Sequence, residues 1–93
     1  MRLEPEQREA IVRTIRSYDP ESAVYLFGSR LDDSARGGDI DLLVISRRIT
    51  REQLIDVKLD LYDRLGEQKI DLLVTDAPRT AFQRLAKSEG VAL

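Results

Sequence analysis

The chain contains neither cysteine nor histidine. Their absence removes disulfides, thiolate metal sites and every reaction whose acid, base or ligand is an imidazole. Tryptophan is also missing, and aromatic residues make up only 5% of the sequence. No apolar run is long enough to cross a bilayer, so no membrane association is expected. The first residues, Met1-Arg2-Leu3-Glu4-Pro5, lack the apolar centre of a signal peptide, which makes a cytoplasmic location the expectation. Positive charge is not in excess either. The net charge of −2 argues against direct binding to a nucleic-acid backbone. The chemistry left to the chain must rest on carboxylates, hydroxyls and cations, and carboxylate sites favour hard divalent ions.

What is present fits one small domain over residues 1–93, with 42% hydrophobic and 34% charged residues. A domain of this size hides only about 60–65% of its unfolded surface. A partner subunit or a second copy in a homo-oligomer could cover more. Arginine supplies 12 of the 15 basic residues, which suits bidentate contacts to carboxylate or phosphate.

Residues 5–17 read as a helix, with Pro5 in its first turn, Ile11, Val12 and Ile15 as its stripe, and Asp19-Pro20 as its stop. Ala23 to Phe27 reads as a strand, and Gly28-Ser29 follows at once. Residues 29–35 suit a short helix capped by Ser29, and Gly37-Gly38 is a break. Asp39 to Ile45 is a second strand. Thr50 and Gln53 form a capping-box pattern for a helix ending before Gly66. Leu54, Val57, Leu61 and Leu65 line one face of it, and Ile55, Leu59 and Tyr62 widen that face. Lys69 to Val74 is a third strand. Asp76 is expected to cap a last helix with Phe82, Leu85 and Ala86 on its core side and Gly90 at its end. The fold class is therefore α/β (α+β), a small mixed three-stranded sheet with flanking helices in the order α-β-α-β-α-β-α.

One pentapeptide repeats: Ile40-Asp41-Leu42-Leu43-Val44 returns as Ile70-Asp71-Leu72-Leu73-Val74. Buried strands draw on few residue types, which accounts for the apolar letters but not for the acids. Asp39 and Asp41 are two apart, so their carboxylates point to the same side of the strand. Carboxylates placed side by side repel one another, and a divalent cation relieves that repulsion. Asp71 offers a third carboxylate if its strand lies beside the second one in parallel, a relation that the crossover helix at 50–65 supports. The short link between the first two strands allows an antiparallel pair. Gly28, Ser29, Asp39, Asp41 and Asp71 then converge on one edge of the sheet. Glycine admits a phosphate close to the backbone, and free N–H groups where Ser29 opens a helix favour an anion. An EF-hand loop is excluded, because Leu42 and Leu43 fill its ligand and glycine region. Asp32 and Asp33 read as surface acids.

Three segments together resemble the polymerase-β nucleotidyltransferase superfamily in its minimal (MNT) branch. They are Leu26-Phe27-Gly28-Ser29-Arg30, then Gly37-Gly38-Asp39-Ile40-Asp41-Leu42-Leu43-Val44, then Ile70-Asp71-Leu72-Leu73. The resemblance implies that Asp39 and Asp41 coordinate two Mg²⁺ ions. It makes Asp71 the third metal ligand and a candidate acceptor of the hydroxyl proton. Gly28 and Ser29 would grip the β- and γ-phosphates of ATP or another nucleoside triphosphate. Arg30 and Arg36 flank this region, and each either neutralises phosphate charge or makes a surface ion pair. Gly38 stands where many relatives place serine.

Proteins of this branch and size are similar to the antitoxin of HEPN–MNT pairs, which is understood to transfer AMP to a tyrosine of a HEPN toxin. That likeness implies a HEPN-domain protein as partner and acceptor. Two other readings stay open. One is a small-molecule nucleotidyltransferase with a separate acceptor-binding subunit, and the other is a toxin-neutralising binding module without catalysis. The apolar residues beside the acids, Leu43, Ile45 and Leu73, need cover, either from the chain's own helices or from a partner.

Overall fold

The computed structural model describes residues 3–28, 39–66 and 68–93. Helix α1 spans Pro5–Tyr18, entered through a Glu4 N–H that donates to Gln7 Oε1 at 3.0 Å. Strand β1 is Ala23–Phe27 and β2 is Ile40–Ile45. Helix α2 is Leu54–Leu65, β3 is Ile70–Thr75, α3 is Ala81–Glu89 and β4 is Val91–Ala92. The strands form one mixed sheet in the order β3-β2-β1-β4. β1 runs antiparallel to both β2 and β4, whereas β2 and β3 are parallel.

Alternation along the strands divides the sheet into two faces. Val24 and Leu26 of β1, Ile40, Leu42 and Val44 of β2, and Ile70 of β3 are buried in one cluster. Ile11 and Ile15 of α1 and Val57 and Leu61 of α2 complete it, so both helices lie on that face. Fully burying each Ile or Leu there contributes about 1.5–3 kcal/mol, which makes this layer the main source of stability. Tyr18 ties the two helices together by donating its hydroxyl to Asp60, a contact that pushes the phenol up to about 12.

The opposite face carries Phe27, Asp41, Leu43, Asp71 and Leu73. Helix α3 packs on it, and Leu43 there is fully buried. The chain's own helix thus covers part of that face. At the end of α3, Gly90 passes so close to the Ala86 and Leu26 carbonyl oxygens that a side chain would collide with backbone. The close passage lets the chain turn straight into β4, where the Leu93 N–H donates to the Val24 carbonyl at 2.8 Å.

Three expectations change. The sheet has four strands, because Val91–Ala92 adds a short edge strand beside β1. Thr80, not Asp76, caps α3: its Oγ1 accepts from the Gln83 N–H at 3.0 Å, while Asp76 is held by the Arg79 guanidinium. Of the α3 residues expected in the core only Ala86 is buried, with Phe82 59% and Leu85 52% exposed. The capping box at Thr50 and Gln53 does form, with bonds of 2.9 and 3.3 Å, one turn before α2 becomes regular. On α2, Ile55 and Leu59 remain exposed, so the widened stripe exceeds what the core uses. The expected short helix at 29–35 and the Gly37-Gly38 break lie outside the described residues.

Candidate active site

Register brings two of the three acids together. Asp41 of β2 lies directly beside Asp71 of β3, and on its other side its partner in β1 is Phe27. The Asp41 and Asp71 carboxyls lie within hydrogen-bonding reach of one another. Gly28 follows Phe27 with φ +80°, in the left-handed region that favours glycine. A Cβ on Gly28 would collide with Asp41 Oδ2, so the carboxylate occupies the space a side chain would need.

Burial and the hydrogen bond to Asp71 push the Asp41 carboxyl up to about 6, and the charges of Asp71 and Asp39 add to this. Asp39 sits two residues before Asp41, and its Oδ2 is 3.5 Å from Lys69 Nζ. The ammonium acts against the rise at Asp41 without cancelling it. Among the described residues no three acids converge into a ready metal cage, and Asp39 lies beside Lys69. The donor set nonetheless suits a divalent cation. Burial and its acidic neighbours raise the Asp41 carboxyl well above the usual carboxylate range, and a hard cation bound there would relieve the same repulsion.

A cleft of about 390 Å³ opens over Asp41 and Asp71, bounded by Phe27, Leu73, Phe82 and Lys58. A second one, of about 360 Å³, lies at the far end of β2 among Asp19, Ser46, Arg47 and Arg48 and contains none of the three acids. That far end has a structural role. Ser46 Oγ donates to Asp19 Oδ2 at 2.6 Å and accepts the Arg48 and Ile49 N–H groups, which shapes the turn after β2. The Ser46 bond also holds the Asp19 carboxyl below the usual range.

Of the expected phosphate-side residues, Gly28 sits against the acids, whereas Ser29, Arg30 and Arg36 lie outside the described residues. Three neighbours of the site, Lys58, Lys69 and Phe82, were not singled out as such from sequence. Lys69 stands two residues before Asp71, so strand alternation already pointed to it. The pairing of Phe27 with Phe82, ring centroids 5.7 Å apart, depends on how α3 crosses the sheet and had no local signal.

Residues 9–93 match the family described as Polymerase beta, Nucleotidyltransferase. No curated protein matches the chain.

Proposed function

Because the chain belongs to the polymerase β nucleotidyltransferase family, we propose that it transfers a nucleoside monophosphate, AMP from ATP, to a hydroxyl of a protein partner, in the manner of the antitoxin of a HEPN toxin. Membership carries the class of activity, nucleotidyl transfer, and the class of substrate, a nucleoside triphosphate. The observation that carries the site assignment is the alignment of Asp41 with Asp71 across the parallel strands, with Gly28 against Asp41.

Asp39, Asp41 and Asp71 would hold two Mg²⁺ ions, which supply Lewis-acid stabilisation of the triphosphate and of the attacking oxygen when bound. Asp71, exposed at the start of β3, takes the proton of the acceptor hydroxyl. That oxygen forms a bond to the α-phosphorus, the bond from the α-phosphorus to the bridging oxygen of the β-phosphate breaks, and pyrophosphate leaves with the electron pair. Gly28 brings bare backbone against Asp41, where the terminal phosphates would approach, with Ser29, Arg30 and Arg36 as the groups that bind and neutralise them. The protein acceptor follows from the likeness to MNT antitoxins, and exposed Ile55, Leu59 and Leu85 give such a partner apolar surface to meet.

The test is incubation with Mg²⁺ and labelled ATP, with and without a HEPN protein encoded beside this chain. An Asp39→Asn/Asp41→Asn variant serves as control. Label on the HEPN protein that the control loses supports the proposal. Tight association with no transfer, unchanged in the control, would leave a binding module instead. Transfer only to a small molecule would sink the protein acceptor and keep the chemistry.

A further inference from the structure

The cleft beside the acids has walls of two kinds. Asp41 and Asp71 are the acidic part, Phe27, Leu73 and Phe82 the apolar part, and Lys58 is the only cation among its described lining residues. Its volume, about 390 Å³, is that of a small-ligand site. Phe82 is 59% exposed although Phe27 holds its ring in an edge-to-face contact at an interplanar angle of 80°. The ring is thus contacted by Phe27 and still largely exposed beside the acids, as a stacking surface must be.

We infer that this cleft takes the nucleoside half of the triphosphate, with Phe82 as the stacking surface for the nucleobase and with little discrimination between bases. The inference rests on the nucleotidyl-transfer reading of the acids. With the α-phosphate at Asp41 and Asp71, the terminal phosphates extend toward Gly28. Phe82 packs on Phe27, the residue before Gly28, and so stands on the side of the leaving group. An acceptor attacking in line approaches from the opposite side, and the apolar walls of Phe27, Leu73 and Phe82 suit a nucleobase and not the charged terminal phosphates, which leaves the nucleoside as the occupant of the cleft. Base selection needs donors and acceptors aimed at the base edge, and on this reading the two carboxylates are engaged with metal and phosphate. The described lining offers only two carboxylates and one ammonium beside its apolar walls. Stacking on an aromatic ring is tolerant of base identity, because every base has a π face.

The test uses the whole chain with Mg²⁺ and five ligands: ATP, GTP, CTP, UTP and inorganic tripolyphosphate. The sequence has no tryptophan, so Phe82→Trp provides a single indole at the proposed surface, excited selectively over the three tyrosines. Each nucleotide should quench it, and tripolyphosphate should not. In titration calorimetry the native chain should bind the four nucleotides within about threefold of one another. Phe82→Ala should weaken all four on the order of tenfold and leave tripolyphosphate unchanged. Phe82→Leu should bind like Phe82→Ala and melt like the native chain, which separates stacking from folding. Unchanged nucleotide affinity in Phe82→Ala, with no quenching of the indole, would overturn the inference while leaving nucleotidyl transfer standing. Loss of transfer to the acceptor at unchanged nucleotide affinity would also overturn it, by giving the cleft to the acceptor. If neither nucleotides nor tripolyphosphate bind in a Mg²⁺-dependent way, the nucleotidyl-transfer reading itself fails.

Discussion

Gly28 and Asp41 share one space: the Asp41 carboxylate fills the volume that a β-carbon on Gly28 would occupy. The glycine is therefore required twice, once by its φ of +80° and once by its neighbour. Gly28→Ala should cost about 1–2 kcal/mol from the left-handed backbone alone. It should also displace the Asp41 carboxylate, and misplacement on the order of 1 Å at a reacting centre costs about 100-fold in rate. Labelled transfer and thermal melting measured on the same preparation separate the two effects. Activity lost in proportion to stability only would refute the steric coupling.

The proton on Asp41 predicts an unusual pH dependence for the metal-free protein. Its carboxyl is raised from 3.8 to about 6 in the folded state. The fold therefore binds this proton more tightly than the unfolded chain does. The corresponding stabilisation is complete below about pH 4 and is lost as pH rises through about 6. Asp41→Asn mimics the protonated form and lacks this loss. The melting temperature of the native chain relative to Asp41→Asn should thus fall between pH 4 and 6.5 when EDTA is present. The lowered Asp19 carboxyl acts in the opposite sense, through losing stability in acid, but it is common to both proteins and cancels in the difference. Added Mg²⁺ should reverse the trend, with its apparent affinity rising as pH passes 6 and Asp41 gives up its proton.

Lys69 competes with any cation at Asp39, since its ammonium lies 3.5 Å from Oδ2. Both side chains are substantially exposed, so the pair is a weak one. Lys69→Gln should tighten Mg²⁺ binding by about 2- to 5-fold at low salt, and the gain should shrink at 1 M salt. Calorimetric titration at two ionic strengths checks both statements. Weaker binding in Lys69→Gln would mean that the lysine assists the site.

Ser46 organises the end of the molecule away from the acids. Ser46→Ala removes the donor to Asp19 and the acceptor for two backbone N–H groups. The expected loss is about 2 kcal/mol, which for a domain of this size lowers the melting temperature by roughly 8–16 °C. Mg²⁺ affinity should be unchanged, because the acids lie at the opposite end of β2.

The site was legible in sequence to the extent that strand geometry dictates it. Alternation put Asp39 and Asp41 on one side. The length of the segment 50–65 required a crossover helix, and that crossover made β2 and β3 parallel. The repeat then aligns as written, residue for residue, from Ile40 with Ile70 to Val44 with Val74. Strand β4 was not legible because two residues carry no period, and its place depends on the close passage of Gly90. Asp76 is a good cap by residue type, but the bidentate pull of Arg79 and the intervening Pro78 leave Thr80 to begin α3. Phe82 was expected in the core because apolar spacing on a helix does not say how far the helix stands from the sheet.

The register of β2 and β3 also sets which changes the protein can absorb. Asp41 and Asp71 are neighbouring rungs of one backbone ladder, so the gap between their Cα atoms is that of adjacent strands, about 4.8 Å. No loop length enters that distance. Insertions or deletions between Ser46 and Lys69 could lengthen or shorten the crossover without moving the acids apart. A slip of one residue in either strand would turn one carboxylate to the far side of the sheet, among Ile11, Val57 and Leu61.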